Sequence, residues 1–249
     1  MIEFAPTFAA TCVLAWIFVH PFPRQVLSER QPGFRSLVSF AAGVSVAYVF
    51  IDLLPELDEA SVSFEALAEE IGVPLAEFSV HLAALLGFVL FYGLERLVRW
   101  KGAAPQEEGE GETDERAEFL LKFWGSSAYV FLIAYLIQER YGDRGEQGLI
   151  LYAVAMTFHF VALRHSLRYE FTRQYDGGWR WLFAGACFGG WFVSAVVGSH
   201  ELVVGLLLGF LGGMLIMNTT VMELPSEKEG RFIPFIAGSL LYALLLTMV

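Results

Sequence analysis

Basic residues are scarce in this chain: 16 Lys and Arg stand against 27 Asp and Glu in 249 residues, a formal net charge of −11. That deficit excludes a nucleic-acid partner, which requires a basic face. Cysteine is scarcer still. Cys12 and Cys187 both fall inside apolar stretches, which excludes a disulfide framework and a thiolate metal site. There is no HExxH helix, GxSxG elbow, P-loop or Rossmann glycine pattern, so the commonest hydrolase and nucleotide chemistries have no basis here. Charged residues make up only 17% of the chain and apolar ones 56%, the balance of a membrane protein.

What the chain does have is eight apolar stretches, each close to the roughly 20 residues a spanning helix needs. They lie near 4–21, 36–55, 80–99, 119–138, 147–166, 180–198, 202–222 and 232–249. The loops between them alternate in charge. Arg24, Arg30 and Arg35 fall in the first, and Arg96, Arg99, Lys101, Arg116 and Lys122 in the third. Arg164, Arg168, Arg173 and Arg180 fall in the fifth, and Lys228 and Arg231 in the seventh, leaving only Arg140 and Arg144 for the other side. By the positive-inside rule the odd loops are cytoplasmic and both termini lie outside. Met1-Ile2-Glu3 supplies no basic n-region, so the first span reads as a membrane helix rather than a cleaved signal. Trp100, Trp124, Trp179 and Trp181 sit near cytoplasmic span ends, as an interfacial belt requires. The expected fold is all-α: one polytopic membrane domain over residues 1–249, in contact with the lipid bilayer.

Two stretches fall outside the spans. The second loop carries Glu56, Asp58, Glu59, Glu65, Glu69, Glu70 and Glu77 with no basic residue, and its pattern predicts a short surface helix ending near Gly72. Residues 102–117 are acidic and low in complexity, which predicts a disordered cytoplasmic loop.

An internal echo recurs at a spacing of 170 residues. Phe40, Gly43, Leu54 and Pro55 of the second span coincide with Phe210, Gly213, Leu224 and Pro225 of the seventh. These spans run in opposite directions, so the echo predicts an inverted repeat of spans 1–3 and 6–8 around spans 4 and 5.

Three stretches stand out: Phe40 to Gly43 and on to Ile51, Asp52, Pro55 and Glu56; Leu86, Gly87 and Phe88 leading to Leu94, Glu95 and Arg96; and Gly209 through Glu223 and Pro225. In these the chain resembles the ZIP family of divalent-metal transporters. The resemblance implies eight spans, two inverted three-helix units, metal ligands on spans 4 and 5, a homodimer, and a transported cation such as Zn(II). The family's span-four His, its Asp or Asn four residues on, and the next Gly fall here near Ser127, Phe131 and Leu132. Its His-Glu-Pro stretch in span five becomes His159-Phe160-Val161-Ala162-Leu163-Arg164, so only His159 matches.

A divalent ion crossing a bilayer needs oxygen or nitrogen ligands converging from several helices. His159 lies about 10 Å from the cytoplasmic end of span five. Asp52 and Glu139 suit an outer entry and Glu223 an inner exit, which makes these four the candidate metal ligands. Ser126, Ser127, Asn218, Thr219 and Thr220 form a polar layer near the depth of His159, read first as interhelical hydrogen bonding and second as a pathway. His165 points about 120° away from His159 and does not share its site.

The leading expectation is a ZIP-like transporter of a divalent cation in a bacterial inner membrane. The alternative is a ZIP-fold protein that has lost metal transport and serves a regulatory or scaffold role. A membrane hydrolase comes third, since it needs more intramembrane histidines than one.

Overall fold

In a bilayer the backbone must satisfy its own hydrogen bonds, and a chain with this hydropathy can do so only as helices. The computed structural model describes residues 4–20, 32–70, 72, 76–103, 111–197, 201–223 and 231–248, and among these every regular element is helical. In chain order they are α1 (Phe4–Val19), α2 (Pro32–Tyr48), α3 (Leu54–Glu70), α4 (Ser79–Ala103), α5 (Gly111–Tyr135), α6 (Ile137–Glu170), α7 (Thr172–Gln174), α8 (Arg180–Val197), α9 (Glu201–Met217) and α10 (Phe232–Thr247). Six stretches are long and apolar enough to cross a membrane: Arg35–Ala68, Ser79–Leu97, Phe119–Gly142, Arg144–Arg168, Thr172–Val197 and Glu201–Val221. The chain is therefore an integral membrane protein. The terminal apolar helices α1 and α10 have 16 residues each, which is about 24 Å of helix against a hydrocarbon layer of about 30 Å.

Three boundaries differ from the expected ones. The second span does not end at Pro55, because a π turn over Val49–Leu53 carries α2 straight into α3. There the Leu54 N–H bonds back to the Val49 carbonyl, one residue further than in an α-helix. Proline lacks an N–H and its ring presses on the carbonyl four residues earlier, so a widened turn just before Pro55 absorbs both defects. A second π segment, Asn218–Glu223, follows α9. The span-four helix also runs past residue 138 to Gly142, and the break before span five falls at Gly145, whose φ of 62° and ψ of −152° only glycine adopts without strain. Finally, α4 is helical to Ala103 and α5 from Gly111; residues 104–110 of the acidic loop lie outside the described residues.

The acidic segment continues the α2 helix and packs against the bundle. In α3, Leu57, Ser61, Phe64 and Ala68 recur at helical spacing and are buried. Leu57 fills the space beside Gly212 of α9, and Phe64 lies against Gly205. The Ser61 hydroxyl donates to the Glu77 carbonyl at 3.1 Å, tying the helix to the start of α4.

Two helix pairs, α2 with α10 and α4 with α9, cross so closely that glycine is required. In the first, Gly43 sits on the Phe235 carbonyl and Gly238 on the Phe40 carbonyl. In the second, Gly213 sits on the Ala84 carbonyl and Gly87 on the Phe210 carbonyl. Close backbone approach is the usual means of helix association where lipid removes the hydrophobic driving force. Gly190 of α8 makes a similar approach to the Phe131 carbonyl of α5, whereas Gly185 has nothing nearby and is not part of a packing face.

Replacing Gly213 by leucine drives carbon into the α4 backbone, and the expected loss is about 1–3 kcal/mol or more. Gly93→Ala, with open space at its Cβ, is expected to raise stability by roughly 0.5–1 kcal/mol through helix propensity. Unfolding midpoints of the two variants in detergent check both signs.

Candidate functional site

On α2 and its continuation, Ser45, Tyr48, Asp52 and Glu56 are spaced by three or four residues, so they share one face, and all four are buried. On the span-four helix the same logic aligns Lys122, Ser126, Tyr129, Ile133 and Arg140, again all buried. Tyr152 and His159, seven apart, do so on the span-five helix. These faces carry three polar clusters along the bundle.

The first cluster is built around Arg140, which is only 4% exposed. Its guanidinium pairs with Glu56, lies 3.5 Å from Asp52 and donates to the Tyr48 hydroxyl at 2.8 Å. The Tyr152 ring lies 5.2 Å away, within cation–π range. Arg144, placed beside the Gly145 turn, pairs with the other oxygen of Asp52. Tyr152 in turn donates to the Ile133 carbonyl at 2.9 Å, which fixes its ring against Arg140.

The second cluster is at mid-bundle, where the Tyr129 hydroxyl and His159 Nε2 share a hydrogen bond of 2.6 Å whose direction follows the imidazole tautomer. The third is at the opposite end, where Lys122, 2% exposed, pairs with buried Glu95 and lies 3.8 Å from Glu170. Nearby, Arg164 donates to the Ile17 and His20 carbonyls at 2.9 and 2.8 Å, and Tyr175 donates to the Phe18 carbonyl at 3.0 Å. Those bonds satisfy the last carbonyls of α1 and place a cation at the negative end of its dipole.

The candidate ligands are thus dispersed. His159 belongs to the middle cluster and Asp52 to the Arg140 cluster. Glu139 lines a separate cavity of about 350 Å³ with Glu56, Glu59, Glu201 and Arg140. Glu223 ends the second π segment, and its side chain lies outside the described residues. Among the described residues no group of three His, Cys, Asp or Glu converges to hold a metal. In the polar layer, Ser126, Ser127, Asn218 and Thr219 are buried, but Thr220 is exposed and donates to the Ile216 carbonyl of its own helix at 2.6 Å.

Chemically, two carboxylates and two guanidiniums cancel at the Arg140 end. A dication about 5 Å from one guanidinium is repelled by roughly 7 kcal/mol at an effective dielectric near 20, as much as one carboxylate at that distance attracts it. The cluster thus offers no net attraction to offset a metal ion's dehydration.

Arg140 and Lys122 were missed as site residues because a hydropathy reading assigns a charge at a span end to the adjoining loop. Their common helical face with Tyr129 was the signal available in the sequence. No known family model matches the chain, and no significantly similar curated protein is found.

Lys122→Met removes one partner of a buried pair, and the expected loss is about 3–5 kcal/mol. Lys122→Met with Glu95→Leu removes both charges and is expected to recover most of it. Unfolding midpoints of the single and double variants in one detergent give the comparison.

Proposed function

We propose that this is an eight-helix, ZIP-like integral membrane protein in which the chain's own cations occupy the pathway, so that it serves a binding or scaffold role and conducts no divalent metal. The inverted repeat is supported by two coincidences beyond the sequence echo. A shift of 170 residues carries the Val49–Leu53 π turn onto 219–223, inside the second π segment. Taken with a shift of 151 from α4 to α10, it carries the Gly43–Phe235 and Gly238–Phe40 approaches onto Gly213–Ala84 and Gly87–Phe210. The topology, with α1 and α10 spanning and both termini outside a bacterial inner membrane, is supported by the alternation of basic residues between loops in the sequence. Homodimerisation and the lack of an enzymatic reaction belong to the same proposal.

One observation carries the functional reading: Arg140 is buried between Asp52 and Glu56. A transporter presents its carboxylates to the arriving ion, whereas these carboxylates face a tethered cation that cannot leave. Arg140 and Arg144 thus hold Asp52 in the role a cargo ion would otherwise have.

A second reading, a permease for a divalent cation such as Zn(II), is favoured by the cavity containing Glu56, Glu59, Glu139 and Glu201. Its four carboxylates would concentrate cations near the entrance. Zn(II) would then be cargo, with His159 and Glu139 among the groups it meets.

Liposome flux separates the two. Vesicles carrying the purified protein and a trapped metal-sensitive dye are expected to take up Zn(II) and Cd(II) no faster than protein-free vesicles. Uptake well above that baseline, slowed by Glu139→Gln, would establish the permease reading instead. Arg140→Gln leaves Asp52 and Glu56 short of one cation. That variant is expected to be destabilised in metal-free buffer and restored in part by Cd(II), while the wild type shows no Cd(II) response.

A further inference from the structure

Beside Asp52, on the other side of Arg140 from the acidic cavity, lies a second cavity of about 370 Å³. Its polar lining is Asp52, Arg140, Arg144 and Gln147, and its apolar lining is Leu151 and Leu246. Two guanidiniums and one carboxylate line it, while Glu56, the carboxylate that balances Arg140, lines only the neighbouring cavity. Arg140 separates the two and lines both.

Arg144 is the accessible member of the cluster. Its side chain is 41% exposed, whereas that of its partner Asp52 is 7% exposed. Gly148, one turn later on α6, has no side chain, and the Arg144 stem lies in the space a Cβ would take. That packing and the ion pair with Asp52 hold Arg144 in the cavity lining. Asp52 accepts from Nη1, and a guanidinium carries five donors in a planar fork, so one carboxylate does not exhaust it. Gln147 adds an amide that can donate or accept, and Leu151 and Leu246 supply the apolar part of the lining. A concave site with few polar groups and an apolar wall is the usual build of a small-molecule site.

We propose that this cavity binds a small solute with a carboxylate on a short apolar body. The carboxylate takes Arg144, with Gln147 beside it, and the apolar part lies on Leu151 and Leu246. Arg140 stays with Glu56 and Tyr48 and excludes cations from this side. The inference goes beyond the proposed loss of metal transport and stands independently of it, since binding here requires no transport.

The test is a thermal-shift titration of the full-length protein in detergent, with sodium propionate, sodium phosphate and propylammonium chloride at equal ionic strength. Propionate is expected to raise the wild-type midpoint more than either other salt. Arg144→Gln is expected to weaken the propionate response at least tenfold in concentration. Leu246→Trp fills the apolar side without touching the ion pairs; it is expected to abolish the response and keeps the proposal testable if the first variant folds poorly. Equal shifts from all three salts would overturn the proposal, as would a propionate response surviving in the Trp variant. A stronger response to phosphate would also overturn it, because it assigns the site to a phosphate group, free or on a lipid. Vesicle flux plays no part in this readout, so its failure is distinct from failure of the proposed function.

Discussion

A guanidinium that is 4% exposed inside a membrane protein cannot stay charged without company, and the arrangement around Arg140 follows from that requirement. A charge buried in low dielectric without a partner costs several kcal/mol. Arg140 meets Asp52 and Glu56 on one helix and the Tyr48 hydroxyl one turn before them. Those partners share a face only because α2 continues without interruption into α3 through the π turn. Had the helix ended at Pro55, Glu56 would lie on a loop and Arg140 would lose its closest carboxylate. The backbone irregularity and the buried charge are thus parts of one solution.

The clusters bear on motion as well as on stability. An alternating-access protein separates helices at one end while closing them at the other. Here the Arg140 cluster ties span two to the central pair at one end, and the Lys122 cluster ties α4 to α5 and α6 at the other. Opening either end leaves a carboxylate unpaired in low dielectric, a state that costs several kcal/mol. An ion that balances that charge as the pair parts could lower the cost. At the Arg140 end a cation would first have to displace two guanidiniums from Asp52. At the proposed site an anion would meet the guanidinium donors of Arg144 that Asp52 does not use, without that exchange.

Much of the helical plan was legible in the sequence, because it depends on composition and on where charges interrupt it. Six stretches long enough to span and a helix in the acidic segment after Pro55 follow from local pattern alone. The site was less legible. Asp52 was singled out for its place near a span end, but its partners Arg140 and Arg144 lie about ninety residues away, and only tertiary packing brings them together. The second span read as ending near residue 55 because the apolar stretch gives way there to acidic residues, and the π turn that carries the helix on leaves no signature in hydropathy. Thr220 had the right depth for the polar layer but the wrong side of its helix, since an irregular π ladder shifts the face by part of a turn.

The proposed repeat also shows what symmetry does not carry. A shift of 170 residues preserves the glycines and the π turn, which are packing requirements of two crossings built alike. It carries Asp52 to Met222, Glu56 to Ser226 and Tyr48 to Asn218, so these polar positions are not repeated in register, and the nearest acids, Glu223 and Glu227, fall one residue on. Packing constrains both halves equally, because each needs the same close approach of backbones. Binding chemistry constrains only the half that faces a ligand. The sequence echo therefore marks residues that hold the bundle together, and the departures from it mark residues that act. On that argument the proposed carboxylate site falls where the proposed echo fails, at Asp52 and its partners Arg140 and Arg144.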